Sequence, residues 1–196
     1  MSVAAALLAL LSPLLLLLLL AMAADMAWSK RDRGGFFYLE PRISRGRQFG
    51  LLKFRTLRRA ALEQMRREDG HARLYEADTS NLTWAGRRLL KPWYFDELPQ
   101  LLNVLRGDLS LVGPRPWPPE MVRRQVAEGR DYRNRVMAGL TGPAQVTKGD
   151  GIPYEDLDSA YVERCTTLSG WGLVRYDLQI LRRTFAVVAR GEGLNY

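Results

Sequence analysis

Two neighbouring acids, Asp96 and Glu97, stand at the start of an apolar helical repeat, and a proline-flanked arginine, Arg115, follows shortly after it. Carboxylates in a first helical turn face the positive end of the helix dipole and its unpaired backbone donors. They stay ionised there and share the site with incoming anions. Asp is also a common helix cap, so this pattern alone leaves both capping and chemistry open for Asp96. Gly113-Pro114-Arg115-Pro116 stiffens the backbone on both sides of Arg115. A guanidinium presented at a fixed place suits bidentate contact with a phosphate; a solvent-facing turn is the alternative.

The helix that must position the acids is legible. Leu98, Leu101, Leu102 and Leu105 recur at helical spacing, Pro99 falls in the first turn and Gly107 is a good stop. Residues 36–39 and 49–54 read as short strands separated by a basic loop over 42–47. Residues 58–68, with Leu62 and Met65 among arginines, read as a basic amphipathic helix, on a membrane surface or simply solvated. Trp171, Val174, Leu178, Leu181 and Phe185 form a second apolar stripe, expected to pack on the core. Asp156 and Asp158 are expected on an exposed helix face.

Composition narrows the classes. The 196 residues carry 29 Lys plus Arg against 21 Asp plus Glu, with one His and one Cys. Cys165 alone forms no internal disulfide, and His71 alone builds no multi-histidine metal site. Residues 26–69 hold 12 basic and 5 acidic side chains, which is +7 of the total +8. The positive charge is therefore a local patch, suited to phosphates or an anionic membrane surface.

From Val3 to Ala24 no residue is charged, and residues 14–20 are all leucine. About 20 apolar residues are what a bilayer-spanning helix needs. A signal peptide fits poorly, since Met1-Ser2 offers no basic flank. Ser12-Pro13 interrupts the run: proline removes a backbone donor and crowds the preceding turn, so a kink is expected there. Such a helix spans, or dips in and returns to the same face if Ser12 satisfies the freed carbonyl. With either path Lys30, Arg31 and Arg33 hold the following domain in the cytoplasm.

An ordered set of segments resembles the bacterial sugar transferases, the monotopic polyprenyl-phosphate phosphoglycosyl transferases. The set comprises Ser12-Pro13, Lys53-Phe54-Arg55-Thr56, Asp96-Glu97-Leu98-Pro99-Gln100 with residues 101–108, Gly113-Pro114-Arg115-Pro116, Gly139-Leu140-Thr141-Gly142, Asp158, Tyr161-Val162 and Asp177. The resemblance implies an α+β fold with a re-entrant membrane helix over 1–25, broken at Ser12 and Pro13. The catalytic domain would then be 26–196, with interfacial amphipathic helices and a small sheet carrying the site. It implies transfer of a sugar 1-phosphate from a UDP-sugar to undecaprenyl phosphate, with release of UMP, at the cytoplasmic face of the bacterial inner membrane. Asp96 would be the nucleophile that forms a covalent phosphosugar intermediate and would contact Mg²⁺; Glu97 completes the dyad. Arg115, Lys53, Arg55 and Lys91 are the candidates for neutralising substrate phosphates. Nucleic acid is not an expected partner, and a homodimer is left open.

Some positions depart from the family pattern. Leu57 stands for a methionine, and Lys91-Pro92-Trp93-Tyr94-Phe95 replaces an arginine-containing run, so Lys91 brings a cation without the bidentate fork. Residues 137–149 also differ, which affects the sugar and nucleotide contacts. Outside the resemblance, the competing reading is a non-catalytic membrane-anchored module that holds acidic lipid or nucleic acid through residues 26–69. It predicts salt-dependent binding with no need for Asp96.

Overall fold

The computed structural model describes residues 2–68, 72–147 and 151–189. His71, Lys148, Gly149 and Arg190 lie outside them. The fold is mixed α+β. In chain order it runs α1 (Ser2–Trp28), β1 (Phe37–Ser44), β2 (Arg47–Phe54), α2 (Arg59–Arg67), α3 (Ala72–Glu76), a π-helical turn (Gly86–Leu90) and a 3-10 turn (Phe95–Glu97). Then come α4 (Gln100–Arg106), β3 (Ser110–Val112), α5 (Pro119–Ala127), β4 (Gly139–Thr141), α6 (Pro143–Val146), α7 (Tyr154–Thr167) and α8 (Gly170–Ala189). Contacts divide the chain into two compact units: residues 6–38 with 52–99, and residues 1–5, 39–51 and 100–196.

In the unit of residues 6–38 and 52–99, α1 is long and apolar enough to cross a membrane. It continues as one helix through Pro13 instead of parting into two. The carbonyl that Pro13 leaves without its helical donor is that of Ala9, and Ser12 Oγ donates to it at 2.7 Å. Ser12 thus satisfies the freed carbonyl as expected of it, within a helix whose hydrogen bonding runs on through Pro13. Leu18 and Met22 are buried against Phe54, Ala85 and Leu90, so one face of the second half of α1 rests on protein. Asp25 Oδ2 accepts the backbone N–H of Ala85 at 2.8 Å and fixes that docking. The amphipathic α2 spends its apolar face on a second core, where Leu62 and Met65 join Leu57, Ala72 and Leu82. Its leucine and methionine are therefore not presented to a bilayer.

The strands run longer than expected, and the basic loop shrinks to Arg45–Gly46. Both residues have positive φ, 48° and 73°, the requirement of a tight two-residue hairpin turn matched to strand twist.

In the other unit β3 and β4 pair in parallel, Ser110 with Gly139 and Val112 with Thr141. The backbones approach so closely that a Cβ on Gly139 would stand 2.1 Å from the Gly113 nitrogen; glycine is obligatory there. Val112, Tyr161 and Ile180 form the core beneath, with Tyr176 and Leu181 packed on it. This corrects the expected stripe on α8: Trp171 is 85% and Phe185 69% exposed, and Val174 and Leu178 are exposed too. Asp158 is a second correction. It is fully buried, not on an exposed face, because it pairs with Arg133 at 2.7 Å.

Candidate active site

The unit containing residues 52–99 brings four of the predicted residues together. Lys53 comes from the end of β2, Lys91 from just after the π-helical turn, and Asp96 and Glu97 from the 3-10 turn. Gly86 allows the π turn to pack on β2's continuation, since a Cβ there would meet the Thr56 carbonyl at 2.5 Å. Tyr94 holds φ at 54°, a left-handed conformation uncommon outside glycine, and turns the chain immediately before the acids. The rings of Trp93 and Phe95 stack at 6.4 Å across it.

Asp96 is 1% exposed. Its Oδ2 accepts from Lys91 Nζ at 3.0 Å, whereas Oδ1 is buried with no hydrogen-bond partner among the described residues. No backbone N–H reaches this carboxyl among those residues, and α4 begins only at Gln100, so its environment is not that of a helix cap. Lys91 is shared: its Nζ lies 2.6 Å from Glu76 Oε2, and the other Glu76 oxygen accepts from Thr56 Oγ1 at 2.7 Å. Glu97 Oε1 lies 3.6 Å from Lys53 Nζ.

Burial pushes the Asp96 carboxyl up to about 6; Lys91 pulls it down, Glu97 adds to the rise and Lys53 opposes it. Burial would also discharge Lys91, but Asp96 and Glu76 outweigh that and raise it. The result at neutral pH is an ionised, desolvated carboxylate with one oxygen fastened and one open, which is the condition of a positioned nucleophile.

The remaining candidates are employed differently. Arg55 is buried, with Nε donating to the Gly35 carbonyl, Nη1 to that of Leu57 and Nη2 to that of Asp32, at 2.9, 3.1 and 2.6 Å. Its guanidinium ties the segment after α1 to the end of β2. Arg115 belongs to the other unit, where its carbonyl accepts from Arg133 Nη1 at 3.0 Å. Arg133 is itself fixed by Gln125, by Asp158 and by the Trp117 ring, 3.9 Å from the guanidinium carbon. Thus the loop carrying Arg115 is anchored by a buried ion pair. Glu76 and Arg133 were not singled out from the sequence, and Thr56 entered only as the end of the Lys53-Phe54-Arg55-Thr56 segment; of the first two, only Glu76's acidity could have drawn notice.

The described residues contain no group of three or more His, Cys, Asp or Glu able to hold a metal. The dyad nevertheless fits Mg²⁺, which takes one or two carboxylates and completes its shell with phosphate oxygens and water. Asp96 supplies a buried oxygen without a partner, and Glu97 adjoins it.

The bacterial sugar transferase family model matches residues 1–191, and the chain belongs to that family. It is 40% identical over 192 residues to a UDP-glucose:undecaprenyl-phosphate glucose-1-phosphate transferase of Caulobacter vibrioides, covering 93% of this chain and 65% of that protein. It is 35% identical over 181 residues to an undecaprenyl-phosphate galactose phosphotransferase of Salmonella typhimurium, covering 85% and 36%. A UDP-galactose-lipid carrier transferase of Erwinia amylovora is 35% identical over 190 residues, covering 90% and 38%. The chain thus spans between about a third and two thirds of the length of these relatives.

Proposed function

We propose that the protein transfers a sugar 1-phosphate from a UDP-sugar to undecaprenyl phosphate at the cytoplasmic face of a bacterial membrane, as an early membrane step of polysaccharide assembly. The observation that carries this reading is the buried Asp96 carboxylate, tied by Lys91 through one oxygen and open at the other. In the first step Oδ1 attacks the phosphorus that bears the sugar. The bond to the bridging oxygen breaks and its electron pair leaves with UMP. In the second, an oxygen of the lipid phosphate attacks the same phosphorus, forms the diphosphate linkage and returns the carboxylate.

Phosphoryl oxygens repel an attacking anion, so the site must offer fixed positive charge; Lys91 and Lys53 supply it from either side of the dyad. Mg²⁺, held by Asp96 and Glu97 together with the donor's phosphates, would add charge neutralisation. Glu97 serves as the second acid of the dyad.

The docking of α1 supports a re-entrant or shallow path over a straight crossing. Its buried face leans on the segments that carry Lys53, Lys91 and Asp96. A straight crossing would draw those charges toward hydrocarbon, where each is costly. The test is product identity. Purified protein supplied with UDP-sugars, Mg²⁺ and undecaprenyl phosphate should release UMP; release of UDP would indicate ordinary glycosyl transfer and overturn the reading.

A further inference from the structure

A cavity of about 390 Å³ opens between the segment that follows α1, the end of β2 and helix α2. Its size is that of a small-ligand site. Four arginines line it, Arg33, Arg55, Arg59 and Arg66, against a single acid, Glu63. Lys53, Lys91, Asp96 and Glu97 are not among its walls, so it is a separate place from the candidate active site.

The four arginines are not equivalent. Arg59 is engaged with Glu63 at 2.8 Å, and Arg55 is held by three backbone carbonyls. Arg55 therefore forms a rigid charged wall, and Gly34 leaves it uncovered: even a Cβ there would stand 3.9 Å from the guanidinium carbon. Burial lowers the Arg55 pKa against the pull of Asp32 and Asp25, and an anion in the cavity would relieve that cost. Arg33 and Arg66 are exposed and form no ion pair or hydrogen bond with the described residues. Two guanidinium forks without an ion pair among the described residues and one buried guanidinium around a small cavity make a receptor for a phosphate.

The walls also say which phosphate. Phe37 is stacked on Phe54 at 5.4 Å and Glu63 is paired with Arg59, so one face of the single ring in the walls and the single acid there are already engaged. Leu62 and Phe37 give the cavity apolar surface beside its charge. Location completes the argument. α1 ends at Trp28, which is 94% exposed, and tryptophan favours the headgroup level of a bilayer. Arg33 follows only five residues later, at most about 18 Å of chain.

We propose that this cavity binds the phosphate of an anionic bilayer phospholipid and pins the protein at the membrane surface beside the end of α1. The inference goes beyond sugar transfer, and its test reads no turnover, so either can fail alone. The full chain in neutral detergent is titrated with dihexanoyl-phosphatidylglycerol while the thermal midpoint is followed. A ligand of the folded state raises the midpoint by mass action. The same titration is made with dihexanoyl-phosphatidylcholine, whose choline brings a cation toward the arginines, and with inorganic phosphate.

The expected result is a rise with phosphatidylglycerol that needs about tenfold more ligand in R33Q/R66Q, and at least about tenfold more when phosphatidylcholine or phosphate replaces it. R123Q/R124Q, which removes two exposed arginines of α5, should respond like the unaltered protein. The proposal fails if R33Q/R66Q responds normally, or if R123Q/R124Q loses the response equally, since net charge alone would then be at work. It also fails if inorganic phosphate acts as strongly as the lipid, which would make the cavity a soluble-anion site. R66E, a single charge reversal on the exposed face of α2, gives the same reading should the double variant not fold; a normal response there overturns the proposal too.

Discussion

Lys91 and Asp96 form an ion pair at 3.0 Å in which the lysine's second acid, Glu76, is closer still at 2.6 Å. The ammonium is held from behind, so it keeps Asp96 ionised without following the carboxylate when that turns to a substrate. This gives a pH prediction. Asp96 is the group pushed up to about 6, so UMP release should rise with pH through about 6 and be lost below it. Replacing Lys91 by Met removes a pull that lowers this value. The acid limb of the pH–rate profile should then move up by about one unit or more, with Lys91→Arg restoring it. An unmoved limb in a folded Lys91→Met protein would show that Lys91 does not govern Asp96.

Asp96→Asn keeps the size of the side chain and removes the anion. Turnover should fall by about three orders of magnitude or more while the fold persists. Stability carries a second signature. The folded protein raises the Asp96 pKa above its unfolded value, so it favours the neutral carboxyl. That contribution is complete below the ordinary carboxyl value of 3.8 and disappears as pH rises through about 6. The asparagine variant cannot titrate, so the difference between its thermal midpoint and that of the unaltered protein should change between those limits, the unaltered protein losing ground as pH rises. Parallel curves would deny Asp96 its raised pKa.

The Arg133–Asp158 pair should behave as a buried charge pair. Asp158→Ala leaves the Arg133 guanidinium without its counter-ion and is expected to cost about 3–5 kcal/mol, read from thermal or denaturant unfolding. Removing both charges together, as Arg133→Met with Asp158→Leu, should cost less than the sum of the two single changes. Because Arg133 also holds the Arg115 carbonyl, activity should fall in both backgrounds, even where stability recovers.

The path of α1 can be read by labelling. With Cys165→Ser and a cysteine introduced at Val3, a membrane-impermeant thiol reagent should fail to label intact cells and should label lysed ones if the helix returns to the cytoplasmic face. Labelling from outside would mean a straight crossing. Pro13→Leu restores the missing backbone donor and should shift labelling toward the outside.

The acids and the apolar helix after them were legible because local spacing carries them; the separate 3-10 turn that holds the acids was not, since the helix was expected to start near Asp96 and starts at Gln100. Nor were the partners. Glu76 reaches Lys91 and Thr56 through tertiary packing, and Asp158 meets Arg133 across a helix and a loop. No spacing rule announces such pairs. Asp158 was misread as exposed because an acid on a polar helix is ordinarily solvated. On α8 two stripes satisfy helical periodicity. The larger residues formed the one that is exposed, while Tyr176, Ile180 and Thr184 face the core, with Thr184 bonded to Thr141 at 2.8 Å. Arg55 was read as a phosphate ligand from its motif; that its donors meet three backbone carbonyls is visible only once the segment after α1 is folded against β2.

The ion pairs around Asp96 also set a charge balance. Lys91 stands between Glu76 and Asp96, one positive charge against two negative, so this triad at rest carries one negative charge in excess. A bare anion entering it is repelled. The site thus discriminates before any contact with sugar or base: a phosphate that arrives with its own cation, on the nucleotide or on the lipid, meets no such barrier, while a small anion that arrives bare does. Selection by counter-ion would guard the catalytic acid against the small anions of its surroundings.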